Sequence, residues 1–198
     1  MGKIFIIMGK SATGKDTIFQ RIAKDSTVSL KTIIPYTTRP IRSNEKNGRE
    51  YFFVDEENYQ KLKKENKIIE ARAYETMHGV WRYFTVNDGQ INLQKDNYIM
   101  ITTLEAYLQI REYYGYERIV PIYIDVDNGE RLERALHRER KQAEPKYTEM
   151  CRRFIADEKD FSKEKLEAAG ITTSYMNDEI ETCIKTIKAA IQFAISNE

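Results

Sequence analysis

The chain of 198 residues is 41% hydrophobic and 32% charged, a composition that fits one folded domain with room for a smaller inserted lobe. Its 32 Lys and Arg nearly balance its 31 Asp and Glu, giving a formal net charge of +1, which argues against a general nucleic-acid or membrane-surface binder. Since no apolar run approaches the roughly 20 residues of a membrane span, we expect a cytoplasmic protein with neither nucleic acid nor membrane as a partner.

The first predicted elements form a unit of strand, glycine loop and helix. Residues 4–8 are a continuous apolar run, so residues 3–8 are typical of a strand buried in a parallel sheet, and the apolar spacing over residues 15–24 predicts a helix. A loop between two such elements turns its backbone N–H groups onto phosphate oxygens, and the helix dipole favours the anion. The sequence therefore predicts a nucleoside-triphosphate site made of Gly9, Lys10, Ser11, Ala12, Thr13, Gly14, Lys15, Asp16 and Thr17.

Within this loop, Lys15 is expected to reach the β- and γ-phosphates, and Asp16 stands where Ser or Thr is usual. The missing hydroxyl would ordinarily bind Mg²⁺, but Thr17 supplies one a residue later. Asp16 could also hold the ion through water, because Mg²⁺ keeps several waters and accepts carboxylates. We therefore expect Mg²⁺ with ATP at Asp16 and Thr17. The alternative is an ordinary strand-to-helix turn.

Residues 33–86 have a different sequence pattern. Apolar and polar residues alternate in short segments at 51–54, 68–73 and 81–85, and one short helix is predicted at 56–64. This pattern predicts a small, sheet-rich lobe inserted into the main fold. Beyond it, apolar runs predict strands at 98–101 and 120–126 with a helix at 104–114 between them. Helices are predicted at 129–141, 148–169 and 178–196, with a short strand at 171–175. This alternation indicates an α/β fold with a mostly parallel sheet.

Two groups of arginines indicate binding of phosphate. In the lobe, Arg39 and Arg42 lie three residues apart around Pro40, and with the Tyr51 hydroxyl they suit a monophosphate, although surface charges and a core tyrosine are the alternative. Further on, residues 130–154 carry arginines at 131, 134, 138, 140, 152 and 153. Pro145 in their midst predicts a mobile flap that closes over reacting phosphates, whereas a solvated helix face would explain most of them equally well.

The stretch "TTRPIRSNEKNGREYFF" (residues 37–53), the glycine loop, "IIEARA" (68–73), the arginine-bearing flap and "YMND" (175–178) together resemble the guanylate kinase family. Its members transfer a phosphoryl group from ATP to GMP. The resemblance implies a three-layer P-loop α/β fold with a core at 1–32, 87–137 and 154–198. It also implies a small α+β lobe for the monophosphate at 33–86 and a helical lid at 138–153.

The resemblance also implies roles for single residues. It places Arg39, Arg42, Tyr51 and Tyr83 on the phosphate of GMP, and Glu70 and Thr85 on the guanine. The implied catalytic residues are Lys15, Arg39 and the lid arginines, with Arg153 after the flap and either Arg138 or Arg140 before it. Asn177 falls in the loop that holds the adenine of ATP, although a simple turn is also consistent with the sequence.

Several positions depart from the family pattern. Pro35 stands where the family has a base-contacting Ser, and Phe84 stands where it has Gly. Thr102 and Thr103 end a strand where the family has an Asp near the reacting phosphates. The alignment of residues 82–85 also needs an insertion of about three residues at 75–77.

Two other functions compete with transfer to GMP. Gly-Lys-Asp loops also resemble those of kinases for a phosphorylated sugar such as ribose bisphosphate, but the segment Glu50-Tyr51-Phe52-Phe53 favours a nucleotide. A non-catalytic binding module of the same family usually has a degraded glycine loop. Here Gly9, Gly14 and Lys15 are intact, which favours an enzyme.

Overall fold

The computed structural model describes residues 1–76 and 79–197. In chain order, the strands of this part are β1 (Ile4–Met8), β2 (Leu30–Thr32), β3 (Tyr36–Thr37), β4 (Phe52–Phe53), β5 (Ile68–Thr76), β6 (Gly79–Val86), β7 (Asn97–Ile101), β8 (Ile119–Asp125) and β9 (Ser174–Met176). The helices are α1 (Lys15–Ala23), α2 (Glu56–Lys64), α3 (Leu104–Tyr114), α4 (Asn128–Arg140), α5 (Tyr147–Asp160), α6 (Lys163–Ala168) and α7 (Ile180–Ser196). A short 3₁₀ turn, Tyr116–Arg118, precedes β8.

Five strands form a parallel sheet in the order β2-β7-β1-β8-β9. The central strand β1 is apolar throughout and fully buried, because helices cover the sheet on both sides. Ile4, Ile6 and Met8 face the layer that contains α3, and Phe5 and Ile7 face the layer of α1 and α7. This arrangement confirms the predicted three-layer α/β fold with a mostly parallel sheet.

A second sheet lies within residues 36–86, in the order β4-β3-β6-β5. Its largest pairing is the antiparallel ladder of β5 and β6, in which Glu70 lies opposite Thr85. Phe84 points to the other face, where it is buried against Tyr36 and Tyr59 at ring-centroid distances of 5.5 and 4.9 Å. The phenylalanine that replaces the family's glycine therefore belongs to the hydrophobic core of this sheet.

The prediction of one helix over residues 148–169 is wrong, because the chain breaks between α5 and α6. The buried ring of Phe161 stacks on Tyr123 at 5.6 Å, and the next residue, Ser162, caps α6 by accepting a hydrogen bond from Lys165 N. The predicted insertion at 75–77 lies partly outside the described residues. In the ranges 1–76 and 79–197, no helix has the length and apolar character needed to cross a membrane.

Candidate functional site

The glycine loop joins β1 to α1, as predicted, and both of its glycines are required by their surroundings. Gly14 is the N-cap of α1 and lies in the left-handed region, with φ of 82°, and a Cβ there would lie 2.5 Å from Asn177 Nδ2. A Cβ on Gly9 would lie 2.5 Å from the carbonyl oxygen of Ile124 on β8. The buried Thr13 hydroxyl donates to the Lys10 carbonyl across the loop, at 2.9 Å. A larger residue at either glycine would therefore distort the loop.

Asn177 is buried behind this loop, and its side-chain amide donates to the Thr13 carbonyl at 2.8 Å. Its own carbonyl accepts from Arg134 at 3.1 Å. The resemblance in sequence implies a position for Asn177 beside the adenine of ATP. In the structure its amide nitrogen is used to hold the loop, so Asn177 contributes to the site through the backbone at Thr13.

Two acidic residues of α5 bind the outer side of the loop. The backbone N–H of Ser11 donates to Asp157 Oδ2 at 2.7 Å, and Lys10 forms an ion pair with Glu158 at 2.9 Å. A loop N–H that points at an anion is the arrangement expected of a phosphate-binding loop. In this structure the anion bound by the Ser11 N–H is the carboxylate of Asp157.

Arg131, for which the sequence predicts no separate role, lies at the centre of this contact. Its side chain is 0% exposed, and it donates to the Ser11 carbonyl at 3.1 Å, to Glu158 at 2.6 Å and to Asp157 at 3.3 Å. The buried stripe of α4 runs through Arg131, Ala135 and Glu139, at a spacing of four residues. That spacing was the signal in the sequence that could have shown Arg131 facing inward.

A cavity of about 770 Å³ opens in front of the glycine loop. Its wall includes Lys15 from the loop, Thr102 and Thr103 from the segment before α3, Tyr74 from β5 and Asp157 from α5. The hydroxyl oxygen of Thr102 is buried and has no hydrogen-bond partner among the described residues. The cavity therefore connects the loop to the inserted lobe, and the Thr102 hydroxyl in its wall is free to bind a ligand.

Asp16 and Thr17, the predicted metal ligands, lie on the first turn of α1 and are exposed; the Asp16 side chain is 77% accessible. Asp16 Oδ2 is 3.6 Å from Lys15 Nζ. In the part of the chain that the structure describes, no three His, Cys, Asp or Glu side chains cluster as a metal site would require. A carboxylate and a hydroxyl facing solvent fit an ion such as Mg²⁺, which keeps its waters and is bound largely through substrate phosphates.

The predicted monophosphate ligands of the lobe surround a buried ion pair. Arg39, 3% exposed, forms two hydrogen bonds of 2.8 Å with Glu45, and the rings of Tyr51 and Phe53 lie 5.4 Å from its guanidinium carbon. The Arg39 guanidinium lowers the pKa of Glu45 to about 2. Arg39 Nε is buried without a hydrogen-bond partner among the described residues, so one donor of the fork stays unused.

Arg42 is exposed, and its backbone N–H donates to the same carboxylate, Glu45, at 2.9 Å. The Tyr51 ring meets Tyr83 edge-on at 5.6 Å, and Tyr83 meets Tyr74 in the same way at 5.7 Å. The structure thus brings Arg39, Tyr51 and Tyr83 together, with the Arg42 side chain in solvent beside them.

The predicted base ligands form a buried polar group in the lobe. Glu70 is 1% exposed and accepts hydrogen bonds from the Thr85 hydroxyl at 2.8 Å and from Arg72 Nε at 3.1 Å. Burial raises the pKa of Glu70, and Arg72 and Thr85 oppose that rise. Arg72 also donates to the Thr103 hydroxyl at 3.3 Å, which ties this group to the wall of the large cavity.

The flap arginines separate into two sets. Arg138 and Arg153 line one small cavity of about 90 Å³ together with Ser11 of the glycine loop. Arg153 also forms an ion pair with Glu149 at 2.7 Å. Arg140 lines a different cavity, together with His137 and Arg134 of α4. Of the two arginines predicted ahead of the flap, Arg138 is the one that shares a cavity with the loop.

Comparisons with known proteins agree over almost the full length. A sequence model of a family described as guanylate kinase matches residues 1–194. The chain is 28% identical to a guanylate kinase of Porphyromonas gingivalis, covering 96% of this chain and 97% of that one, and 27% identical to one of Rhodopirellula baltica, covering 92% and 86%. The crystal structure of guanylate kinase from Anaplasma phagocytophilum matches with a TM-score of 0.66 at 19% identity, covering 96% and 85%. That last likeness shows a shared fold.

Proposed function

Because the chain belongs to the guanylate kinase family, we propose that it transfers the γ-phosphoryl group of ATP to GMP, giving ADP and GDP. The observation that carries the proposal is the pairing of two sites at one cavity. An intact glycine loop lies on one side, and a buried carboxylate with a hydroxyl, Glu70 and Thr85, is joined to the other side through Arg72 and Thr103.

Glu70 suits guanine because guanine presents two adjacent donors, N1–H and the 2-amino group, and one carboxylate can accept from both. Adenine has an acceptor at N1 and no 2-amino group, so it would leave a buried charge facing an acceptor. A site built on such hydrogen bonds rejects an analogue that lacks them by factors of up to about 10⁴. We therefore expect GMP to be the preferred acceptor, with IMP weaker and AMP weakest.

The phosphate of GMP would enter at Arg39, Arg42, Tyr51 and Tyr83. A phosphate dianion accepts two parallel hydrogen bonds from a guanidinium fork, as the Glu45 carboxylate does now. Glu45 keeps the Arg39 side chain in place before GMP arrives, so less side-chain freedom is lost on binding.

On the donor side, the backbone of residues 9–14 would hold the phosphates of ATP, and Lys15 would contact the transferring group. Asn177 would act by positioning the loop through the Thr13 carbonyl. Asp16 and Thr17 would hold Mg²⁺, with Thr102 available to a water or phosphate oxygen. When bound, the ion would neutralise charge on the β- and γ-phosphates.

We assign the lid role to residues 138–153, with Arg138 and Arg153 closing onto the transferring phosphoryl group. Phosphoryl transfer needs positioned positive charge more than covalent chemistry, and a closed lid excludes water. The cavity that both arginines share with Ser11 supports Arg138 over Arg140.

The test is an assay of ADP release with ATP, Mg²⁺ and a panel of acceptors: GMP, dGMP, IMP, AMP, UMP and ribose phosphates. The proposal expects the highest kcat/KM with GMP and a decline from GMP to IMP to AMP. Turnover with a ribose phosphate in place of nucleotides would instead identify a sugar kinase. Binding of GMP without ADP release under any condition would identify a non-catalytic module.

A further inference from the structure

Arg72 places a positive charge in the pocket proposed for the base. In the ladder of β5 and β6, Glu70 lies opposite Thr85 and Arg72 lies opposite Tyr83. Side chains alternate along a strand, so all four share one face of the sheet. The proposed function assigns Glu70, Thr85 and Tyr83 to GMP and leaves Arg72 without a role.

The contacts of Arg72 leave part of its guanidinium unused. Its Nε and one terminal nitrogen lie 3.1 and 3.4 Å from the two oxygens of Glu70, and the other terminal nitrogen donates to Thr103 Oγ1 at 3.3 Å. The Tyr74 side chain also interacts with Arg72. A guanidinium has five N–H donors, so these contacts still leave an N–H group for another acceptor. The first three contacts are also longer than the 2.8 Å bonds between Arg39 and Glu45. The side chain is nearly buried, so it cannot reach water freely.

The chemistry of guanine supplies an acceptor next to the two donors read by a carboxylate. Its 2-amino group, N1–H and O6 carbonyl follow one another along one edge. A carboxylate supplies two acceptors for the 2-amino group and N1–H, and a guanidinium beside it supplies a donor for O6. We propose that Arg72 is a specificity-determining residue that donates a hydrogen bond to O6 of guanine while Glu70 accepts from N1–H and the 2-amino group. This inference rests on the proposed function.

The experiment compares kcat/KM for GMP with that for 6-thio-GMP, which keeps N1–H and the 2-amino group but carries sulfur, a weak acceptor, in place of O6. A lost hydrogen bond to a charged group predicts that the wild type prefers GMP by about tenfold or more. Arg72→Met should reduce that preference to below about threefold, while the preference for GMP over IMP, which reports on Glu70, should change less.

Arg82→Met is the matched control, because Arg82 lies on the opposite face of the same hairpin and pairs with Glu56. It should keep the wild-type ratio of GMP to 6-thio-GMP. Arg72→Met leaves Glu70 buried without its cation, so the protein could fail to fold. For that case, Glu70→Gln is compared with the Glu70→Gln, Arg72→Met double variant, and binding of both nucleotides is measured by calorimetry. The preference for GMP should be present in the first and absent in the second.

The outcomes separate the two proposals. If the wild type phosphorylates GMP but shows no preference over 6-thio-GMP, or if Arg72→Met lowers both rates equally, Arg72 only neutralises Glu70 and the inference is overturned. A wild type that does not phosphorylate GMP overturns the proposed function and this inference with it.

Discussion

At the scale of single residues, Lys15 carries the sharpest expectation for catalysis. Its side chain is partly buried at the cavity wall, and its charge would act on the transferring phosphoryl group. Lys15→Ala should lower kcat by about 100-fold or more while leaving the circular dichroism spectrum unchanged. Lys24→Ala, an exposed lysine just after the same helix, should keep normal turnover. Near-normal kcat in Lys15→Ala would contradict the assignment of the loop.

Arg131 carries the sharpest expectation for stability. Its removal would leave Asp157 without its cation and Glu158 with the Lys10 cation alone. Breaking a buried pair costs about 3–5 kcal/mol, and because these carboxylates are partly exposed we expect Arg131→Leu to cost about 2–3 kcal/mol. Urea unfolding measures this loss. Arg152→Leu, which breaks an exposed pair with Glu149, should cost less than about 1 kcal/mol. Equal losses in the two variants would show that Arg131 is not a central contact.

At the scale of secondary-structure elements, the sequence predicts α3 and α2 with the bounds that the structure has. Both combine a periodic apolar face with a capping side chain, Thr103 before α3 and Asp55 before α2. The break between α5 and α6 could not be predicted, because it depends on burial of Phe161 against Tyr123, which is 38 positions earlier in the printed sequence.

The same limit applies to the site. The glycine loop follows from residues adjacent in the chain, so the sequence shows it directly. Arg131 meets Ser11 across 120 positions, and Arg72 meets Thr103 across 31. The spacing along α4 indicates that Arg131 faces inward, but the partner of neither arginine leaves a local pattern, since only the packing of α4 on the loop and of β5 on α3 creates these two contacts. The replacement of glycine by Phe84 was likewise understandable only once the two faces of β6 were known.

The flap between α4 and α5 gives a prediction about an element. All of residues 140–148 are exposed, and although the amides of Lys141, Gln142 and Lys146 donate hydrogen bonds within the flap, we expect this exposed backbone to open readily. Hydrogen exchange in residues 138–153 should slow when ATP with a non-transferable γ-phosphate and GMP are both bound. Exchange in α3 should not change, and it serves as the internal control. Unchanged exchange in the flap with both nucleotides bound would argue against closure of a lid.

At the scale of the whole molecule, two carboxylates that pair with arginines make the stability of the fold depend on pH in the acid range. Glu45, beside Arg39, and Glu149, beside Arg152 and Arg153, each have a pKa of about 2 against an ordinary 4.5. A lowered pKa in the folded state adds stability above pH 4.5, and this stability is lost as the pH falls from 4.5 towards 2. The free energy of unfolding should therefore decline through this window.

Unfolding by urea at several pH values measures that decline. Glu45→Gln should make it shallower, because the variant has no carboxyl to protonate beside Arg39. Glu57→Gln, on the exposed surface of α2, should leave the pH dependence close to that of the wild type. A Glu45→Gln protein with the full wild-type decline would show that the pair with Arg39 does not contribute to acid stability.

The contacts of Glu45 with Arg39 and of Asp157 with the Ser11 N–H determine which free anions can bind to these two donor groups. Each donor group already holds an anion of the same chain, with which a free ion would have to compete. Chloride or a simple carboxylic acid brings a single charge, which gives it no advantage over the carboxylate in place. A phosphate dianion brings more charge and more acceptor oxygens, so it can win the exchange. On the proposed function, the two resident carboxylates would therefore favour a phosphate dianion over abundant monovalent anions at both donor groups.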